Sequence, residues 1–444
     1  MTARAADGHA LSAQAVKVEH RKVAFASLIG TAIEWYDYYL YGTCAALIFP
    51  RLFFPSMDAW VGTIAAFATY AVGFAARPVG AAVFGHFGDR IGRKAILVLS
   101  LWMMGGSTIA IGFLPTYASV GAWSAVLLSV LRLIQGFAVG GEWGSAVVMA
   151  VEHAPANRRG LFGSFPQIGV PAGLLMSTAV FFVTSTSMSN DDLMAWGWRI
   201  PFIASIVMVL VGMFIRLRLH ESPMFEQMKR RREDVKAPAL EVMKTHRRAL
   251  YLTIGMKLLQ NAVFYLYSVF MLSYLTGTLK MDRSVGLGAI LLSSVIGFVT
   301  LPGWSYLSDL IGRKKVYLFG TIASTAFVAP FFWMAQTGSV ALVVTGMVIG
   351  LNVLHDAMYG PQAVYFSELF GTNVRLTGAN VGYAIGSVLS GGFAPMIATA
   401  LLKYQNGGTW GITVYIVTLG VISIVCTLLA RDTWKDRLEP GTQH

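Results

Sequence analysis

The sequence has little charge and almost no cysteine for its length. Only 13% of its 444 residues are charged, about half the share that is usual in a soluble globular domain. The two cysteines, Cys44 and Cys426, both lie in apolar runs, which excludes a disulfide framework. We also expect no bound metal. Because 55% of the residues are hydrophobic, a lipid bilayer is the expected solvent of this chain.

Several signatures of enzymes and of targeting are also missing. The sequence has no cluster of histidine and cysteine, no Gly-x-Ser-x-Gly motif and no phosphate-binding P-loop. We therefore expect no cofactor, with a proton as coupling ion, and we keep a membrane enzyme or sensor only as a remote alternative. Residues 1–20 lack the apolar core of a signal peptide, so the first apolar run is expected to remain as an uncleaved helix.

The sequence does contain a series of apolar runs, each near the roughly 20 residues that cross a bilayer as a helix. Twelve such runs lie between residues 23 and 430. They predict an all-α membrane protein with two bundles of six helices each. The predicted bundles span 23–219 and 250–430. A cytoplasmic linker at 220–249 joins them, and cytoplasmic tails at 1–22 and 431–444 flank them.

The formal net charge of +12 follows the predicted membrane topology and not a nucleic-acid surface. With the N-terminus inside, most of the lysines and arginines fall in cytoplasmic segments. The outer segments hold only Arg51, Arg199, Lys280, Arg283 and Lys403. This bias is the positive-inside rule, and it predicts that both termini lie in the cytoplasm. The expected partners are the lipid bilayer and a small-molecule substrate, without nucleic acid.

One loop sequence occurs twice. Gly85-His-Phe-Gly-Asp-Arg-Ile-Gly-Arg-Lys94 follows the second apolar run, and Ser305-Tyr-Leu-Ser-Asp-Leu-Ile-Gly-Arg-Lys314 follows the eighth. A second, weaker repeat consists of an acidic and a basic residue after the fourth and the tenth run. These pairs are Glu152 with Arg158 and Glu368 with Arg375. Two similar halves with binding sites between them are a known architecture of secondary transporters.

The repeated loop resembles the signature of the major facilitator superfamily. Glu34-Trp-Tyr-Asp-Tyr-Tyr-Leu-Tyr-Gly42 and Arg132-Leu-Ile-Gln-Gly-Phe-Ala-Val-Gly-Gly-Glu-Trp-Gly144 are similar to motifs of its metabolite:proton symporter family. That family contains carriers for proline and betaine, 2-oxoglutarate, citrate and shikimate. His355-Asp356 and the loop at 84–89 look most like its shikimate permease branch. The resemblance implies a twelve-helix fold, alternating access, a monomer and a multi-pass location in the bacterial inner membrane.

The resemblance also implies a gate at the repeated loops. In the superfamily, charge pairs at this place hold the inward face closed and separate during transport. The alternative is that the positive charges only anchor the topology. The second copy departs from the pattern, with Leu310 where the first copy has Arg90. The expected gate residues are Gly85, Asp89, Arg90, Arg93, Asp309, Arg313, Glu152, Arg158, Glu368 and Arg375.

Four ionisable side chains within the predicted helices are candidates for proton coupling. Ionisable groups are costly to place in a membrane, so they indicate function unless a structural ion pair neutralises them. Glu34 and Asp37 lie three positions apart on one face of the first helix, and we favour Asp37 as the proton carrier. Arg132 is expected to neutralise one of these acids and to release it on protonation, and Asp356 is a second candidate. The alternative is a static buried ion pair.

Lys257 is the main indication of the substrate. A lone ammonium group deep in the seventh helix needs an anionic partner, which is either a protein carboxylate such as Asp356 or the carboxylate of the substrate. The shikimate branch has a base at this position and the zwitterion carriers have an apolar residue, so the resemblance favours an anion. The other expected substrate contacts are Arg132, Gln135, Asn261, Tyr265, Trp35, Tyr38, Tyr41, Gln260 and His355.

The leading hypothesis is therefore a proton-coupled symporter that imports a small organic anion, a shikimate-like compound or another mono- or dicarboxylate. The alternative within the same class is a proton symporter of a zwitterionic compatible solute such as proline or betaine. Neither the apolar pattern nor the charge bias distinguishes these two substrates.

Overall fold

The computed structural model describes residues 13–91, 93–139, 154, 155, 157–218, 242, 244–370 and 375–434. For 13–27, 85–91 and 93–95 this description covers the helical backbone alone. Within these ranges the chain is helical and forms no β-strand. Nine of its helices there are long and apolar enough to cross a membrane, and two shorter apolar helices join them. The protein is thus the all-α membrane protein that the composition predicts.

Twelve long helices follow one another with mostly short connections. Those of the first half are α1 Ala13–Leu47, α2 Ala59–Ile91, α3 Arg93–Gly112, α4 Trp123–Val139, α5 Arg159–Thr186 and α6 Ile200–Arg218. Those of the second half are α7 Arg247–Thr278, α8 Arg283–Ile311, α9 Arg313–Gln336, α10 Val340–Glu368, α11 Thr377–Tyr404 and α12 Trp410–Leu429.

Two helix starts differ from the predicted parts of the chain. α1 begins at Ala13, inside the segment predicted as a tail, and α7 begins at Arg247, inside the predicted linker. Most of that linker lies outside the described residues, as does the end of the fourth apolar run beyond Val139. Helices extend past apolar runs because polar residues continue the hydrogen-bonded backbone beyond the bilayer core, where hydropathy no longer marks them.

The two halves meet along two sets of helices. α5 packs against α8 and α10, while α2 packs against α11 and α1 packs against α7. Within the first half, α1 also packs along α5, where Gly173 permits close approach of the backbones. A side chain at Gly173 would place its Cβ 2.6 Å from the carbonyl oxygen of Ala32. The centre of the molecule is therefore bounded by α1, α2, α5, α7, α8, α10 and α11.

Three helices of the second half contain π turns among their described residues. Among the described residues these turns span Leu266–Phe270 and Tyr274–Thr278 in α7, Ile349–His355 in α10 and Val388–Gly392 in α11. A π turn inserts one extra residue and rotates the following side chains relative to a regular helix, and such turns are frequent at functional sites. In α10 the turn ends at His355, directly before Asp356.

Candidate functional site

Among the described residues, six charged side chains are buried in the middle of the membrane-spanning helices. They are Glu34, Asp37, Arg77, Arg132, Lys257 and Asp356, with relative exposures of 7% or less. Three are acidic and three are basic, so their formal charges cancel when all are ionised. Burying charges in a membrane protein is costly unless each finds polar or aromatic partners, and their partners therefore define the site.

In the first half, Arg132 and Asp37 are connected through two polar side chains. Arg132 donates from Nη1 to Gln135 Oε1 at 3.1 Å, and Gln135 donates from Nε2 to Thr108 Oγ1 at 2.7 Å. The Thr108 hydroxyl and the charge of Arg132 both act on the Asp37 carboxyl. The other carboxyl oxygen, Oδ2, has no hydrogen-bond partner among the described residues. We call Arg132, Gln135, Thr108 and Asp37 the Arg132 chain.

Both buried arginines, Arg132 and Arg77, lie against the faces of aromatic rings. The Arg132 Cζ atom lies 4.0 Å from the ring centre of Tyr38, 4.3 Å from that of Tyr41 and 4.7 Å from that of Tyr70. The Arg77 Cζ atom lies 4.0 Å from the Tyr38 ring centre, and Arg77 Nε donates to Tyr38 Oη at 3.0 Å. Glu34 also acts on the charge of Arg77. Tyr38 therefore contacts both guanidinium groups, each by a cation–π interaction.

In the second half, Lys257 is held by neutral groups. Its Nζ donates to Gln260 Oε1 at 2.6 Å and to Gln362 Oε1 at 3.1 Å, and it lies 3.8 Å from the ring centre of Tyr383. Among the described residues no carboxylate forms an ion pair with Lys257. The sequence left open a direct pair with Asp356, and the structure instead places two side chains between them.

These two side chains are Gln260 and His355. Gln260 Nε2 lies 2.6 Å from His355 Nε2, and His355 Nδ1 lies 3.0 Å from Asp356 Oδ1. The second Asp356 oxygen, Oδ2, accepts from Thr300 Oγ1 at 2.5 Å and from an amide of α10. We call Lys257, Gln260, His355 and Asp356 the Lys257 chain. Both halves thus contain a base, a glutamine three positions later, a bridging group and an aspartate.

Two small cavities lie beside the Lys257 chain. One, of about 10 Å³, which we call the central cavity, is lined by Trp35, Tyr39, Val170, Lys257, Gln260, Asn261, Phe264, His355, Tyr359 and Tyr383. The other, of about 30 Å³, is bordered by His355, Asp356, Asn352 and Pro171 among others. Such volumes hold water and not a metabolite. The halves are therefore closed around the site in this conformation.

The predicted substrate residues separate into two groups. Trp35, Lys257, Gln260, Asn261 and His355 line the central cavity. The others surround the buried arginines, where Arg132, Gln135, Tyr38 and Tyr41 contact one another and Tyr265 packs on Tyr70.

Sequence reasoning did not name Tyr359, Tyr383, Gln362 or Thr108 as site residues, and it included Tyr39 only as part of the motif at 34–42. Gln362 is a polar residue within an apolar helix and could have been noticed. The tyrosines carried no signal that separates them from core aromatics.

A second cluster of charges joins the halves where α5 begins and α8 ends. Asp309 Oδ1 accepts from the backbone N–H of Gly160 at 2.8 Å, and Oδ2 accepts from that of Leu161 at 2.9 Å. Arg313 Nη1 lies 2.6 Å from Asp309 Oδ1, and Arg313 Nε lies 3.6 Å from Glu368 Oε2. Asp309 therefore places its charge on the positive N-terminus of a helix of the other half. We call Asp309, Arg313, Glu368 and this helix start the latch.

The other expected gate residues are placed as follows. Gly85 is described by its helical backbone. The side chains of Asp89, Arg90 and Arg93 lie outside the described residues, as does Glu152. Arg158 is exposed, and it is the next residue, Arg159, that lies 3.8 Å from Glu368. Arg375 is buried at the start of the α11 region. The chain after α12 also reaches the latch, where Thr433 Oγ1 donates to Glu368 Oε2 at 2.6 Å.

Comparison with known proteins gives matches over nearly the whole chain. A family profile described as "Sugar (and other) transporter" matches residues 22–242 and again 233–433. The shikimate transporter of Escherichia coli (strain K12) is 40% identical over 417 residues, which cover 94% of this chain and 95% of that protein. The inner membrane metabolite transport protein YhjE of the same organism is 39% identical over 421 residues, covering 93% and 94%.

A more distant relative and a solved structure complete the comparison. The glycine betaine/proline/ectoine/pipecolic acid transporter OusA of Dickeya dadantii (strain 3937) is 32% identical over 432 residues, covering 95% of this chain and 85% of that protein. The crystal structure of a D-xylose-proton symporter superposes with a TM-score of 0.71 at 17% identity, covering 94% of this chain and 99% of that chain. At that identity the likeness shows the fold alone, and it is the same twelve-helix fold.

Proposed function

Because the chain belongs to the sugar (and other) transporter family of the major facilitator superfamily, we propose that it imports a small organic anion together with a proton. The membership confirms the resemblance seen in the sequence, and it makes the protein a membrane transporter and not an enzyme. We place it as a monomer in a bacterial inner membrane, with the latch at the cytoplasmic face, in agreement with the positive-inside bias.

The main observation that supports an anionic substrate is the environment of Lys257. Its ammonium group is fully buried at the central cavity, and its hydrogen bonds go to two neutral amides. Arg77 adds a second positive charge close enough to act on Lys257. A carboxylate that enters the cavity would therefore meet the ammonium group of Lys257, which lacks a direct anionic partner among the described residues, while Arg77 acts on the same place through space. Charge-assisted hydrogen bonds of this kind are stronger than neutral ones.

The rest of the cavity lining supports a compact, partly hydroxylated ring as substrate. Trp35 and Tyr39 stack with ring centres 5.3 Å apart, and Tyr359 and Tyr383 also line the cavity. Their faces fit the apolar surface of a small ring, and Asn261 offers a polar contact beside them. A shikimate-like carboxylate combines these features, and one relative is named a shikimate transporter.

The proton is assigned to Asp37. This carboxyl is buried, and one of its oxygens has no hydrogen-bond partner among the described residues, so a proton can be added there without breaking a bond. Protonation removes the attraction between Asp37 and Arg132. Arg132 then depends on its tyrosine contacts and on Gln135. We propose that this loss of attraction favours the rearrangement of the halves that opens the site. Glu34 and Asp356 are the other acids proposed to take part in proton coupling.

The alternative substrate is a zwitterionic compatible solute. The relative OusA is named for such compounds, and an aromatic pocket suits a quaternary ammonium group. Lys257 and Arg77 oppose this assignment, since a substrate cation placed between Trp35 and Tyr383 would be repelled by both. The charges of the site therefore favour the anion.

Uptake by the purified protein in liposomes tests the proposal. We expect accumulation of radiolabelled shikimate with an inward proton gradient and its loss with an uncoupler. Lys257→Met should lower uptake at least tenfold, because the substrate carboxylate loses its cation. Lys244→Met, an exposed lysine outside the membrane, is the matched control and should transport like the wild type. Accumulation that persists without the gradient excludes symport, and unchanged affinity in Lys257→Met excludes the anion contact.

A further inference from the structure

The orientation of the Gln260 amide follows from the chemistry of its two neighbours. A lysine ammonium group has only donors, so the Gln260 atom that faces Lys257 at 2.6 Å must be the oxygen. The amide nitrogen of Gln260 therefore faces His355 and donates to its Nε2. Since an acceptor nitrogen carries no proton, neutral His355 must hold its proton on Nδ1, where it is donated to Asp356.

In this arrangement, protonation of His355 at Nε2 and the hydrogen bond from Lys257 to Gln260 exclude each other. If His355 takes a second proton on Nε2, that N–H meets the N–H group of Gln260. The contact becomes favourable only when the amide turns over and presents its oxygen to His355. The turned amide then presents its nitrogen to Lys257, and two donors face each other there. Protonation of His355 therefore removes the shortest hydrogen bond of Lys257.

From this geometry we infer that Gln260 couples the binding of an anion at Lys257 to the uptake of a proton at His355. A carboxylate at Lys257 supplies the acceptor that Gln260 otherwise provides. The amide is then free to turn, and a proton from water binds to His355 Nε2 and is accepted by Gln260 Oε1. When the anion leaves, Lys257 takes back the oxygen and His355 returns its proton to water. One negative and one positive charge enter and leave together, so the net charge of the site does not change.

Other charged and titratable groups face His355 from the surrounding helices, and none of them replaces Gln260 at Nε2. α10 provides Asp356 and Tyr359, whose ring stacks on His355 at 5.3 Å, and α7 provides Lys257. The groups from the remaining sides are Tyr383 of α11, Tyr39 and Glu34 of α1, and Arg77 of α2. The described lining residues of α5 and α8 at this place are apolar or carry hydroxyl groups. Gln260 is thus a positioning residue between the anion and the proton.

The inference rests on the proposed function in one respect, the anionic substrate, and its test has an arm without substrate. The full-length protein is labelled with [¹⁵N]histidine, and the signal of His355 among the eight histidines is identified by its loss in His355→Asn. Without ligand near neutral pH we expect Nδ1 protonated and Nε2 unprotonated. The opposite tautomer in the wild-type protein overturns the inference, whatever the behaviour of any variant.

The second arm uses a double-mutant cycle without ligand. Lys257→Met frees Gln260 to turn, so His355 should become half-protonated at a pH higher by about one unit, a tenfold change in proton affinity. In the Gln260→Met background the same lysine replacement acts only through space. We expect it to have less than half of that effect there. Equal shifts in both backgrounds mean that charge alone couples the two residues and overturn the role of Gln260.

The third arm adds shikimate as the probe. We expect it to raise the pH of half-protonation of His355 in the wild type and to do so by much less in Gln260→Met. A shift of equal size in both overturns the inference. If shikimate does not bind at all but the ligand-free cycle shows coupling, the proposed substrate is wrong and the relay through Gln260 stands.

Discussion

Arg77, Arg132 and Lys257, the buried cations of the candidate site, contact uncharged groups, unlike Arg313 of the latch, which pairs with two acids. The ring of Tyr38 contacts the guanidinium groups of Arg77 and Arg132, each 4.0 Å from its centre, and Lys257 lies on the ring of Tyr383. Cation–π contacts are weaker than a direct ion pair but leave the charge available to a ligand. The buried bases therefore remain able to respond to a proton or an anion, which a tight ion pair would prevent.

At the residue scale, Asp37→Asn tests the proton carrier. The amide has the size of the protonated acid and cannot titrate. We expect accumulation of shikimate against a gradient to fall to background, while exchange of labelled for unlabelled shikimate across the liposome membrane continues. Both are measured in the same liposomes.

The matched control for Asp37→Asn is Asp282→Asn, an exposed acid before α8, which should accumulate shikimate normally. Normal accumulation by Asp37→Asn would show that another group, Glu34, Asp356 or His355, carries the proton.

At the scale of helices, the latch connects an acid of one half to a helix start of the other. Asp309 accepts two backbone N–H bonds of α5 and pairs with Arg313. The repeated loop in the sequence predicted the importance of Asp309 and Arg313, and it could not show that their partner is the first turn of α5. That partner lies about 150 residues away in the sequence.

Asp309→Asn tests the latch. The neutral amide keeps the size of the side chain but loses the charge on the α5 dipole and on Arg313, at a cost of about 1–3 kcal/mol. We expect the start of α5 and the end of α8 to separate more often. This is measured as a longer mean distance between spin labels on those ends. Asp432→Asn, an exposed acid at the same end, is the control. An unchanged distance distribution in Asp309→Asn would contradict the latch.

At the scale of the whole molecule, the described contacts close the bundle at both ends. The latch joins the halves at one end. At the other end Arg283 Nη2 donates to Ser185 O at 2.6 Å, and Lys403 lies 3.9 Å from Asp58. The two cavities beside the Lys257 chain are small, so the described part of the molecule is closed on both sides of the site, and alternating access requires each end to open in turn.

A reversible cross-link tests this motion. Cysteines in place of Asp58 and Lys403, with Cys44 and Cys426 replaced by serine, join α2 to α11 at the outer end when oxidised or bridged by a short reducible reagent. Because the outer opening is then blocked, uptake should fall to near background and return after reduction. The same protein with only one of the two cysteines is the control. Uptake that survives complete cross-linking would exclude opening between these helices.

The sequence predicted more of the fold than of the site. Apolar length and the repeated loop indicate the twelve helices without knowledge of their packing, because hydropathy is a local property. Five of the six buried charges of the site were also identified, since charge in an apolar run stands out, and Arg77 was not among them. The sequence did not show that the chain after α12 completes the latch through Thr433, because nothing in a short polar tail indicates what it covers.

The sequence by itself therefore determined the solvent of this protein, its two-fold repeated plan and the identity of its buried charges. Only the tertiary structure decided how those charges are arranged. It separated Lys257 from Asp356 by Gln260 and His355, and it placed Arg132 among tyrosines from two other helices. The physical reason is that a helix's span depends on its own residues, whereas the partner of a buried charge depends on how distant helices pack.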